Sequence, residues 1–175
     1  MPETLVPPSV VTFPPVICAA VCDATMEFFG SSCGLKHQEL TEFGEDSTVH
    51  GVLSTISFFG EPSWAFTLAF PAEAAVKAAK AFAGFDIPLD SADMGDVLGE
   101  IINVIAGSIC AKLDAKGIKA QMSLPNVTRG DHLTVIVPSG STTTRMAFSG
   151  SSGTFWIQLV KARLAAPVTA RRPGT

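Results

Sequence analysis

Charge is what this sequence has least of. Asp, Glu, Lys and Arg make up 16% of its 175 residues, against about 25% in an average soluble domain. The formal net charge is −4 and no basic stripe precedes the last residues, so nucleic acid is not an expected partner. Long apolar runs are also missing. Mean hydropathy is +0.37, yet no run reaches the ~18 residues that argue for a bilayer span, and no membrane partner is expected. Met1-Pro-Glu-Thr does not lead a basic region into an apolar stretch. No signal peptide is expected, and the expected location is the cytoplasm. Cysteine is sparse. Cys18, Cys22, Cys33 and Cys110 form no Cys-x-x-Cys and match no zinc spacing. They read as small buried hydrophobes in a reducing compartment. His37, His50 and His132 lie far apart, so no metal site is expected. Walker A, Gly-x-Gly-x-x-Gly, His-Glu-x-x-His and Gly-x-Ser-x-Gly are all absent.

What is present is apolar: 47% of the residues are hydrophobic. The length suits one domain with a full core, and so much apolar surface with so little charge favours a homo-oligomer. Residues 1–15 hold five prolines (Pro2, Pro7, Pro8, Pro14, Pro15) and read as an extended arm. A single domain is expected over residues 16–164, and a disordered tail over 165–175.

Helical spacing of Ile17, Ala20, Val21, Ala24 and Phe28 predicts a first helix from Val16 to Phe29, with Gly30 past its end. A short strand is expected near Leu35–Phe43. Val49–Phe59 reads as a strand with Gly51 as a bulge. Trp64, Phe66, Leu68 and Phe70 alternate with Ser63, Ala65, Thr67 and Ala69, which predicts a half-buried strand hairpinned to the one before. Pro71 is expected at the first position of an Ala-rich helix that ends at Gly84. After the central helix come segments 118–124 and 132–137, separated by Pro125–Gly130, and then strands Thr142–Phe148 and Thr154–Lys161. Hairpin-linked strands with segregated helices predict an α+β fold, an antiparallel sheet with long helices packed on one face. Each half starts with a helix and continues with strands, so two halves repeat by order of elements.

The central segment, Asp93 to Leu113, carries Met94, Val97, Leu98, Ile101, Ile102, Ile105, Ile109 and Leu113 on one helical arc. Asp90 or Ser91 can cap it, and Gly117 stops it. Its opposite arc holds Asp96, Gly99, Glu100, Asn103, Gly107 and Cys110. Glu100 and Asn103 are three apart and therefore neighbours. Each helix-interior glycine costs about 1 kcal/mol relative to alanine, so Gly99 and Gly107 suggest close approach to that backbone.

With its flanks the pair becomes specific. Leu98-Gly-Glu100-Ile-Ile-Asn103-Val-Ile-Ala-Gly107, then Gly117, then Pro125-Asn-Val-Thr-Arg-Gly130, resembles the CheX branch of the CheC/CheX/FliY family. Val49–Gly60, the alternating strand after it and Phe70-Pro-Ala-Glu-Ala-Ala-Val76 resemble that family's first strand pair and following helix. The family's members are phosphatases of the phosphorylated chemotaxis regulator CheY, with Glu-x-x-Asn once per half in CheC and once in CheX. Asp23-Ala-Thr-Met26 and Glu27-Phe-Phe-Gly30 in the first helix are not the motif, so the single-site form is implied. The resemblance implies that Glu100 and Asn103 are catalytic, with Asp96, Gly99 and Gly107 on the docking face. Asn103 would orient water, and Glu100 would pair with the receiver's lysine. No cofactor of its own is implied, Mg²⁺ being supplied by the receiver. A homodimer by strand pairing is implied as well. The alternative is a non-catalytic dimeric module that binds a receiver or another signalling partner.

Overall fold

The apolar positions spaced at 3.6 residues do become helices, and they close over one sheet. The computed structural model describes residues 13–34, 37–40 and 48–161. The elements are α1 (Pro15–Ser32), β1 (His37–Leu40), β2 (Val49–Gly60), β3 (Trp64–Pro71), α2 (Ala72–Ala83), α3 (Ala92–Asp114), β4 (Ala120–Met122), β5 (Asn126–Leu133), β6 (Thr142–Gly150) and β7 (Gly153–Lys161). Most of the arm expected over 1–15, the tail over 165–175 and most of the loop after β1 lie outside the described residues. Of the arm, Phe13 is buried edge-on against Trp64, with ring centroids 5.9 Å apart, and Pro15 already opens α1.

The sheet runs β1-β6-β7-β3-β2, and β2 then pairs along its length with both β4 and β5. Every pairing is antiparallel. The expected halves are visible in the pairing. The hairpin β2·β3 corresponds to β6·β7, and the central contact β3·β7 maps onto itself. The outer strands are exchanged: β1 of the first half pairs β6 of the second, and β5 of the second pairs β2 of the first. The fold is thus α+β, with α1 and α3 as counterparts packed together over the core.

Several boundaries differ from the sequence expectation. Gly30 lies inside α1, which runs two residues further and is capped by Cys33. Pro71 is the N-cap of α2 rather than its first residue. The strand expected at 132–137 sits earlier, at Asn126–Leu133, because the long edge of β2 supplies its hydrogen-bond partners there. Gly51 marks the expected bulge: the β2·β5 register shifts beside it. A Cβ at Gly51 would lie 2.1 Å from the Phe70 carbonyl oxygen, so no larger residue fits. β3 is buried on both sides, not half-buried. Phe66, Leu68 and Phe70 enter the main core under the helices, while Ala69 joins Val49, Ala147 and Trp156 in a small cluster on the other face.

α3 is the described helix whose length and hydropathy would let it cross a bilayer. Its apolar arc from Met94 to Leu113 is buried in the core, and Asp93, Asp96 and Glu100 stand exposed along the other side. It is the core helix of the sheet, built as its periodicity predicts. Ser91 caps it by accepting a 3.3 Å hydrogen bond from Met94 N–H. At the other end Ile118 N–H reaches back 3.0 Å to the Leu113 carbonyl while Gly117 turns with φ +77°, a Schellman-type stop.

Candidate functional site

A groove of about 550 Å³ runs between α3 and the connection from β4 to β5. Asp96, Glu100 and Asn103 stand on its helix side, and Leu124, Pro125 and Val127 form the opposite wall. The helical repeat places Glu100 and Asn103 one turn apart on one flank, Glu100 exposed and Asn103 half-buried. The structure therefore brings Glu100, Asn103 and Asp96 together.

The two glycines behave differently. Gly99, expected on the outward arc, is buried, because the β4–β5 connection folds over it. A Cβ there would meet Val127 Cγ2 at 3.6 Å and Pro125 Cγ at 3.7 Å, ordinary contacts that alanine could make. Gly99 is the floor of the groove. A Cβ at Gly107 would meet nothing within 4 Å, so that stretch of helix backbone lies open.

The electrostatics of the groove are one-sided. Ion pairs among the described residues join Glu73 to Lys77, Lys80 to Asp86, Glu27 to Lys112, Asp114 to Lys119 and His50 to Asp131. Asp96 and Glu100 belong to none of them. Like charges four apart on a helix cost a few tenths of a kcal/mol. Two carboxylates in no ion pair, on the turns of the helix that precede an amide, suit a cationic group brought by something else. The amide itself can accept a hydrogen bond from a water through Oδ1 and fix its direction, with no titration required.

A larger groove, about 670 Å³, opens near the C-terminal end of α3 between Phe59 and Cys110. Its acid and base, Asp114 and Lys119, are already paired with each other. Its Cys110 thiol donates to the Ala120 carbonyl at 3.7 Å, and burial pushes its pKa up. Burial likewise pushes Cys33 up to about 11. Both thiols therefore stay protonated at neutral pH, which disfavours them as nucleophiles. Among the described residues no group of three or more His, Cys, Asp or Glu could hold a metal ion.

Helical periodicity alone did not reveal the far wall, nor Arg129. From β5, Arg129 Nη1 donates to the Leu89 carbonyl at 2.8 Å and the Ser91 carbonyl at 3.1 Å, tying the start of α3 to the sheet edge. Their only trace in the sequence is the Pro125–Gly130 stretch, which shows no period of its own.

The family model described as chemotaxis phosphatase CheX matches residues 52–149, which include α3, the groove and both of its walls. The chain belongs to the CheX family. Solved structures agree in fold. A CheX from Desulfovibrio desulfuricans superposes with a TM-score of 0.74 at 23% identity, covering 83% of this chain and 99% of that one. A CheC-like protein from Shewanella sp. PV-4 gives 0.75 at 18% identity, with 86% and 100% covered. A CheX from Borrelia burgdorferi, solved in complex with CheY, BeF₃ and Mg²⁺, gives 0.67 at 20%, with 83% and 96% covered. No curated protein matches the chain by sequence. The matched segment carries Glu-x-x-Asn once, at Glu100 and Asn103, on the side of α3 that lines the groove rather than the core.

Proposed function

We propose that this CheX-family protein stimulates hydrolysis of the aspartyl phosphate on a CheY-like receiver domain, with Asn103 and Glu100 as its catalytic residues. The observation that carries the reading is the Glu100/Asn103 pair, Glu100 exposed and Asn103 half-buried, lining a groove within the family-matched segment, with Glu100 in no ion pair among the described residues. The Borrelia relative, solved with CheY, supports the receiver as partner.

An aspartyl phosphate is a reactive mixed anhydride. Its hydrolysis lacks mainly a water held in line with the scissile P–O bond, and phosphoryl transfer is accelerated chiefly by positioning and charge stabilisation. Asn103 supplies the positioning: its Oδ1 accepts from the water and aims the oxygen lone pair at phosphorus. Glu100 would be a poor base beside a phosphoryl anion. It serves as an anchor for the receiver's active-site lysine, and Asp96 extends the same acidic edge. Mg²⁺ comes with the receiver and neutralises phosphoryl charge, so this chain needs no cofactor of its own. Two sheet ends, β1 on one side and β4 with β5 on the other, suit a homodimer by strand pairing. The reaction belongs in the cytoplasm with the receiver.

The test is the decay of a phosphorylated CheY-type receiver in Mg²⁺ with the wild type, Asn103→Ala and Glu100→Ala. Asn103→Ala is expected to lose about 100-fold or more of the stimulated rate, as removal of a preorganised polar group does, while receiver binding persists. Glu100→Ala should weaken binding as well. Full activity in both variants would sink the assignment. A wild type that binds the receiver without speeding its decay would make the protein a docking module.

A further inference from the structure

Resting on the receiver reading above, we infer that Leu124 is a docking residue: an apolar knob that seats the receiver against α3 while Glu100 and Asn103 enter its phosphorylation site. Among the described residues the large apolar side chains left exposed are Val16, Phe59, Phe85, Val104, Leu124 and Ile136. Of these, Leu124 alone lines the groove of Glu100 and Asn103, and it is 88% exposed.

Leu124 is also held in place. Ser123 N–H donates to the Ser57 carbonyl at 2.9 Å, and Ser57 N–H donates to Ser123 Oγ at 3.0 Å. Ser123 Oγ in turn donates to the Leu124 carbonyl at 2.8 Å. Pro125 follows and fixes φ on the other side, and with Val127 it rests over Gly99 on α3. The tether holds the Leu124 backbone in place, so a partner that covers the side chain has only its rotamers left to order. A partner large enough to bring a reacting group to the helix flank must pass over this wall. The receiver is therefore the occupant that the position selects, and it must present an apolar surface beside its acidic phosphorylation pocket.

The knob acts on binding rather than on the chemical step, because it carries no polar atom near the reacting centre. Leu124→Ser should raise KM for the phosphorylated receiver by about tenfold, the effect of losing most of one buried leucine contact, with kcat unchanged. Leu124→Met should restore most of the affinity. Ile136→Ser, equally exposed at 88% but outside the groove, should leave both constants unchanged. Melting curves should coincide for all four proteins. A wild-type KM in Leu124→Ser, or an equal rise in Ile136→Ser, overturns the docking role and leaves the phosphatase reading standing. A wild type that neither binds nor dephosphorylates the receiver overturns both.

Discussion

Asn103 and Glu100 were legible because the helical repeat is local: three residues of spacing decide that two side chains share a flank. Leu124, Pro125 and Arg129 were not. They lie on a sheet edge held by β2, at sequence separations far longer than a helical turn, and no local period records that approach. Ser54 is a second residue that the pattern hid. It stands within β2, fully buried in line with the core residues Val52, Ile56 and Phe58, and its hydroxyl has no hydrogen-bond partner. An unmade hydrogen bond in a core costs about 1–3 kcal/mol. Ser54→Ala is expected to raise the unfolding free energy by about 1 kcal/mol, read as a higher urea midpoint at unchanged slope. A lower midpoint would show that the hydroxyl contributes packing the alanine cannot replace.

At the scale of the element, α3 combines two demands. Its buried arc holds the sheet, and its open flank serves the site. Most of the buried arc was legible, since the apolar positions recur with one period: of those named, only Val97 is half-buried, and buried Ala106 was missed. The limits of the helix followed from capping chemistry at Ser91 and Gly117. The burial of Gly99 was not legible, because it depends on the β4–β5 connection. Gly107 gives the clean test of function against stability. No described residue occupies the space of its missing Cβ, so Gly107→Ala should stabilise the helix by up to about 1 kcal/mol. If the receiver presses on that backbone, the same change raises KM. A melting point that rises while KM rises too is the expected outcome. A rise in stability with unchanged KM would place the receiver's contact elsewhere on the helix.

The whole molecule raises the question of why the Glu-x-x-Asn pair stands in one half and not in the other. The order of elements suggested two halves, and the exchange of outer strands makes the relation geometric. Residue burial then fixes the correspondence between helices. Ile17, Ala20, Val21, Ala24 and Phe28 of α1 are buried in the same sequence of steps as Leu98, Ile101, Ile102, Ile105 and Ile109 of α3. By that alignment Ala19 stands where α3 has Glu100, and Cys22 where it has Asn103. Cys18 and Met26 stand where α3 has Gly99 and Gly107, and both are partly buried against the core. The first half therefore differs by more than the acid and the amide: a thiol and a thioether stand where α3 has Gly99, the floor of the groove, and the open backbone of Gly107. Placing Ala19→Glu and Cys22→Asn into an Asn103→Ala background should accordingly fail to restore receiver dephosphorylation; position 19 is exposed, and position 22 is half-buried against the core. Adding Cys18→Gly and Met26→Gly opens the flank at a cost of about 2 kcal/mol in helix propensity, plus the packing of two side chains partly buried against the core. Activity that returns with the double change alone would show that the acid and amide suffice and that the glycines are incidental. Activity that returns only with all four would show that access to the helix backbone separates the working half from the silent one.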